Sequence, residues 1–237
     1  MLFRSYFQLF DIGRPRREFL TGLLETLKAS GCQALVVTGD APVTGARNRS
    51  ERAHFSLPED FETPYYPDRT ARKQVGGLPV SGSSTWADLG WLRSRTGLPI
   101  LLKGVLHEDD AKLAVKAGMD GIIVSNHGGR QLDTGIGAIA ALPPIVERVA
   151  GKTKILFDGG VRRGIDVFKA LASGADAVGV GRPILYGLTV GGTVGVAAVL
   201  EHLRTELVNV MRLTGAGQIQ GIRPEFITRV ANETNLF

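Results

Sequence analysis

Cysteine is almost absent from the sequence: Cys32 is the one thiol in 237 residues. A lone cysteine cannot close an intramolecular disulfide, so nothing here asks for an oxidising compartment. A basic run is missing as well. The formal charge is +5, from 28 Lys+Arg against 23 Asp+Glu, but the arginines are scattered. That argues against a nucleic-acid partner, and the positive balance suits an anionic substrate or a phosphate-bearing cofactor. Met1 to Arg17 lacks the apolar core of a signal peptide, and a cytoplasmic location is the expectation. Pro183 to Leu200 carries no charge, yet its glycines at 187, 191, 192 and 195 make it a poor membrane helix, and it reads as a loop leading into a helix. No metal site is expected.

What is present is a globular composition, 43% hydrophobic and 22% charged. Short β-branched runs occur at Ser5–Phe10, Ala34–Thr38, Ile100–Val105, Gly121–Ser125, Ile155–Asp158 and Ala177–Gly181. Amphipathic segments at Glu18–Ser30, Ala87–Thr96, Asp109–Ala117, Ile139–Val149 and Ile165–Ala172 alternate with most of them. Strands alternating with helices imply a parallel sheet, because each crossover must be covered by a helix. Lys-Ala-Ser-Gly31, Val-Lys-Ala-Gly118 and Leu-Ala-Ser-Gly174 each precede an apolar strand, and this repetition of a βα unit favours a barrel over an open sheet. The sequence thus reads as one domain over residues 1–237. Within it the polar, proline-dotted segment 47–86 is expected to be an active-site lid. Thr193 to Leu213 reads as a final helix outside the barrel.

In parallel α/β folds ligands bind at the C-terminal ends of the strands. Asp40, Lys103, His127, Arg130, Asp158 and Arg182 all fall there. The stretches Asp158-Gly159-Gly160-Val161-Arg162-Arg163-Gly164 and Gly179-Val180-Gly181-Arg182-Pro183 follow the last two strands. Glycines admit a phosphate to the backbone, and helix N-terminal amides with arginine neutralise it.

Ser125-Asn126-His127-Gly128-Gly129-Arg130-Gln131-Leu132-Asp133, together with Asp158 to Gly164, Tyr6-Phe7-Gln8-Leu9, Leu102-Lys103-Gly104-Val105 and Gly181-Arg182-Pro183, resembles the FMN-dependent α-hydroxy-acid oxidases and dehydrogenases. The resemblance covers nearly the whole chain in order. It implies a TIM-type barrel, bound FMN, and oxidation of an L-2-hydroxy acid to the 2-oxo acid. His127 is then the active-site base, Asp40 the carboxylate that orients it, and Lys103 the cation beside the flavin. Arg130 binds the substrate carboxylate through its planar guanidinium, and Arg47 is a second arginine near the substrate. Gln8, Thr38 and Ser125 fall at flavin positions. Asp158, Gly159, Gly160, Arg162, Gly181 and Arg182 fall at the ribityl-phosphate site. A homo-oligomer, a tetramer in relatives, is expected by analogy, and nothing in the sequence identifies the electron acceptor.

The departures are specific. Phe10 stands at a substrate position where most relatives have tyrosine, and Gly39 replaces an apolar residue between Thr38 and Asp40. Relatives have two more βα units before the Phe-Gln-Leu strand, so about six units are expected here instead of eight. An impaired barrel that needs a partner chain, or binds FMN without turnover, is the alternative.

Overall fold

The computed structural model describes residues 5–13, 16–43, 45–46, 48–54 and 84–228. Six strands, β1 (Tyr6–Leu9), β2 (Ala34–Thr38), β3 (Ile100–Val105), β4 (Gly121–Val124), β5 (Lys154–Phe157) and β6 (Ala177–Val178), pair parallel in chain order. They form a curled, incomplete barrel, the fold class anticipated from the βα repetition. Among the described residues, β1 and β6 each keep one edge without a strand partner. The helices are α1 (Arg17–Ala29), α2 (Asn48–Arg52), α3 (Trp86–Arg95), α4 (Glu108–Lys116), α5 (Ala138–Val149), α6 (Gly164–Ala172) and α7 (Arg182–Thr214). Residues 55–83 of the expected lid lie outside the described residues, while α2 gives its start a helical turn.

Strand residues alternate between two apolar surfaces. Leu35, Val37, Ile100, Leu102, Ile122, Val124, Ile155 and Phe157 join the main core with helix residues such as Leu24, Leu92, Ala114 and Ile145. Ala34, Val36 and Leu101, with Ile123 and Leu156, form a separate cluster of the intervening positions. Burial on both sides explains why the strands read as continuous apolar runs.

The three helix-to-strand junctions place Gly31, Gly118 and Gly174 at φ +75°, +71° and +100°, where a side chain would be strained. At two of them an aspartate pins the sheet. Asp120 accepts the Ile100 N–H at 2.8 Å and Asp176 accepts that of Ile155 at 2.9 Å, while their own N–H groups return to the same residues' carbonyls. Arg93 and Lys154 neutralise the two carboxylates.

Two expectations at the C-terminal end are corrected. β6 stops at Val178 instead of Gly181, because the glycine-rich stretch leaves the ladder at a sheet edge. The charge-free stretch read as a loop is helical from Arg182, with Pro183 in the first turn. Only Gly191 and Gly192 break α7, with backbone angles of −145°, 19° and 55°, −139°. Gly187 and Gly195 instead bring its two arms into backbone contact, since a Cβ on Gly195 would lie 1.9 Å from the Gly187 carbonyl oxygen. The second arm supports α6, with Leu207, Val210 and Met211 against Phe168 and Ala172, as expected for a helix outside the barrel. By length and composition alone α7 could cross a membrane; Gly191 and Gly192 break its charge-free part, and the charges Glu201, Arg204, Glu206 and Arg212 all follow that part.

Asp88 shows how local charge holds the helices. Burial alone would raise its pKa, but hydrogen bonds from the Thr85 side chain and backbone, together with Arg17, hold it below the ordinary carboxylate value. It closes a capping box on α3 and pairs with Arg17 of α1 at 3.0 Å. For Asp120 and Asp176, burial is likewise outweighed, first by a backbone hydrogen bond and then by the neighbouring cation. Depressed carboxyl pKa values stabilise the fold above the unfolded value of about 3.9, and this contribution is lost as pH falls through the folded values. The urea midpoint is therefore expected to be level from neutrality to about pH 5 and to fall below about pH 4. Asp88→Ala should cost about 2 kcal/mol at pH 7 and flatten that acid limb, as equilibrium unfolding at each pH will report.

Candidate active site

At the C-terminal ends of the strands the alternation that buries Leu9, Val37, Leu102, Val124 and Phe157 outward turns Gln8, Thr38, Lys103, Ser125 and Asp158 to the other side. These polar side chains bond to one another. Gln8 Nε2 donates to Thr38 Oγ1 at 2.8 Å, and Lys103 Nζ donates to Ser125 Oγ at 2.9 Å. Ser125 donates to Asp158 Oδ1 at 2.5 Å, and the Lys103 ammonium lies 3.6 Å from Asp158 Oδ2. A buried ammonium is costly unless paired, and here a carboxylate and a hydroxyl share the task.

His127 occupies an unusual backbone. It has φ +55°, and Gly128 and Gly129 follow at +67° and +73°. Three successive left-handed residues are tolerable only where most lack a Cβ, which accounts for the glycine pair. The turn is held by the His127 N–H, which donates to Ser125 Oγ at 3.1 Å, and by the Gly129 N–H, which donates to the Asn126 carbonyl. It brings His127 Nδ1 to 3.0 Å from Asp40 Oδ1, both side chains being largely buried. With Nδ1–H donating to the carboxylate, Nε2 carries the lone pair and is the basic nitrogen. The other Asp40 oxygen is buried with no hydrogen-bond partner among the described residues.

Asp40 reaches His127 past the end of β3, and Gly104 makes this possible. Gly104 has φ +99°, and a Cβ there would lie 2.4 Å from Asp40 Cβ. The strand register shifts at the same point.

His127, Lys103, Arg130, Gln8, Phe10 and Asp158 line a cleft of about 480 Å³ whose other end is formed by Gly159, Gly160, Arg162 and residues 179–185. Gly159, at φ +110°, leaves its Cβ position 3.0 Å from Asn126 Oδ1. The helix amides assigned to a phosphate from sequence need correction. Those opening α6 are taken: Asp166 Oδ2 accepts from the N–H groups of Arg162 and Arg163, and Glu206 Oε2 accepts from Gly164 at 2.7 Å. Glu206 sits below its ordinary pKa chiefly because of that Gly164 N–H, then because of Arg163. The N-terminus of α7 has no side-chain cap, and its Gly181 and Arg182 face the cleft. The part of this end that could hold an anion is therefore the Gly159-Gly160 backbone with the α7 N-terminus, flanked by Arg162.

The remaining predicted residues divide plainly. Phe10 lies at the site, its ring centroid 6.2 Å from that of His127. Thr38 and Ser125 support the cleft without lining it, Ser125 being fully buried. Arg47 lies outside the described residues. Arg182 has a use that its motif did not signal, donating to the Gly128 carbonyl at 3.0 Å. Gly104 and Glu206 also escaped the sequence reading. A glycine directly after a strand lysine hinted at the first, but no local pattern marks the second.

A family model described as FMN-dependent dehydrogenase matches residues 4–229. The chain is 43% identical over 234 residues to an L-lactate oxidase of Nostoc sp., covering 94% of this chain and 64% of that protein. It is 44% identical over 227 residues to mouse 2-hydroxyacid oxidase 2, covering 94% and 63%. A crystal structure of mandelate oxidase with (S)-4-hydroxymandelic acid superimposes with a TM-score of 0.85 at 39% identity, covering 93% of this chain and 64% of that one. The chain thus spans about three fifths of the length of the curated relatives it matches.

Gly104→Ala is expected to cost about 1–3 kcal/mol through the clash with Asp40. Gly90→Ala, at an open position in α3, should instead stabilise by about 0.5–1 kcal/mol. Paired urea titrations of the two variants check both signs.

Proposed function

Because the chain belongs to the FMN-dependent dehydrogenase family, we propose that it carries the flavin- and substrate-facing residues of an enzyme that oxidises a small 2-hydroxy acid to the 2-oxo acid. The observation that carries this reading is the convergence of the His127–Asp40 pair and Arg130 on the same cleft as an uncapped, arginine-bearing helix N-terminus. The cleft suits FMN in size, since small-molecule sites run from about 300 to 1,000 Å³. Its glycine-walled end suits the phosphate. Gly159, Gly160, Arg162, Gly181 and Arg182 would hold the phosphate, with Gln8 and Lys103 towards the ring and Thr38 bracing Gln8 from behind. Bound FMN supplies the two-electron acceptor.

The chain's own groups supply the rest. Arg130 anchors the substrate carboxylate through paired N–H donors. His127 Nε2 takes up the hydroxyl or α-proton, and the Asp40 carboxylate stabilises the resulting imidazolium. Lys103 offsets negative charge that grows in the cleft as electrons leave the substrate. Phe10 contributes no hydroxyl, so orientation falls on Arg130 and the imidazole.

A second reading is supported by the open edges of β1 and β6 and by the exposed Leu185, Tyr186, Leu188 and Val190 on the first arm of α7. In it, flavin is retained only when another polypeptide covers those surfaces.

Absorption spectroscopy of the purified chain tests both. A yellow protein that bleaches anaerobically with lactate, glycolate or mandelate supports the enzyme, and a colourless one that takes up no FMN supports the second reading. In the active protein His127→Gln and Asp40→Asn should each lower kcat by about 10²–10⁴-fold. Arg182→Ala should weaken FMN about 10–100-fold with a smaller effect on turnover. A His127→Gln protein bleaching at the parent rate would remove His127 as the base.

A further inference from the structure

Ser125 was placed at the flavin by resemblance, yet its side chain is fully buried and does not line the cleft. A serine hydroxyl has one proton to give and two lone pairs to offer. All three are used. The proton goes to Asp158 Oδ1 at 2.5 Å, while the lone pairs accept from Lys103 Nζ at 2.9 Å and from the His127 N–H at 3.1 Å.

Resting on the flavin-enzyme reading above, we propose that Ser125 is the positioning residue of the site. Its hydroxyl fixes the Lys103 ammonium and holds the main chain at His127 in its left-handed conformation, so that one atom sets the place of both the cation and the base. The two groups arise on different strands, Lys103 inside β3 and His127 after β4, and β4 delivers Ser125 between them. Without the hydroxyl, Asp158 at 3.6 Å is the one polar partner left to the Lys103 ammonium among the described residues. The φ of +55° at His127 would then lose the hydrogen bond on its own N–H.

The geometry also specifies the residue type. Alanine removes all three bonds. Cysteine keeps the shape with a poor acceptor. Threonine keeps the hydroxyl at the cost of a methyl group in a fully buried place.

The test uses the full chain and the variants Ser125→Ala, Ser125→Cys and Ser125→Thr, with Lys103→Met and the Ser125→Ala/Lys103→Met double variant. Two readouts need no flavin. Exchange of the His127 amide, followed by NMR, should accelerate at least about tenfold in Ser125→Ala and return towards the parent value in Ser125→Thr. Acetylation of Lys103 by acetic anhydride, read by mass spectrometry, should rise in Ser125→Ala and not in Ser125→Thr. In flavin-loaded protein, Ser125→Ala should lower the flavin midpoint potential and reduce kcat about 10–100-fold, with little further change in the double variant beyond Lys103→Met. Should Ser125→Ala fail to fold, Ser125→Cys takes its place in every measurement. Parent-like amide exchange and lysine labelling in the hydroxyl-free variant would overturn the proposal. A chain that binds no flavin would overturn the functional reading alone, because the first two readouts still decide the role of Ser125.

Discussion

A single hydrogen bond, 3.0 Å from His127 Nδ1 to Asp40 Oδ1, sets the terms for the rest of the site. The two residues follow β2 and β4, so the contact must cross the end of β3. Strand spacing of roughly 4.8 Å puts the parent backbones about 10 Å apart, farther than either side chain reaches over an ordinary strand end. Gly104 resolves the conflict by leaving β3 without a side chain where Asp40 leans across. The left-handed turn at His127–Gly129 resolves it from the other side, folding the imidazole back towards β2.

Beneath that pair lies a second constraint. Lys103 brings a positive charge into a nearly dry interior, and Asp158 answers it through Ser125 and directly. The same aspartate opens the Gly159-Gly160 turn that borders the anion end. One backbone segment therefore supplies a counter-charge for the lysine and, directly after it, the glycine pair that lines the far end of the cleft. Charges of opposite demand are kept apart by the geometry of a single turn.

The strands and helices were legible because burial on both sheet faces leaves continuous apolar runs and the helices are amphipathic, so boundaries at β2 and β3 agree with the sequence reading residue for residue. The rim residues were legible because parallel strands expose their C-terminal ends together. The helix α7 was not. Its glycine-dotted start reads as a loop leading into a helix, but only Gly191 and Gly192 interrupt the helix, while Gly187 and Gly195 serve a backbone contact that exists only once the arms fold together. The capping of α6 was hidden for a related reason. Glu206 lies 42 residues beyond Gly164 in the chain, and no local pattern announces that a distant carboxylate will occupy amides that look free in sequence.

Charge is also segregated along the strands. At their N-terminal ends Asp120 and Asp176 are spent on strand amides and neighbouring cations, which fixes register and contributes to stability. At the C-terminal ends Asp40 pairs with His127, Lys103 with Ser125 and Asp158, and Arg182 with the Gly128 carbonyl, around an open cleft. Gly128 belongs to both sides of that cleft: a Cβ there would lie 2.9 Å from Arg182 Nη2, and its carbonyl accepts from the same guanidinium. Arg182, at the α7 end of the cleft, therefore leans on the backbone turn that carries His127. Only one of the five guanidinium N–H groups is given to that carbonyl, so the same side chain can brace the His127 turn and still present donors to the α7 end of the cleft.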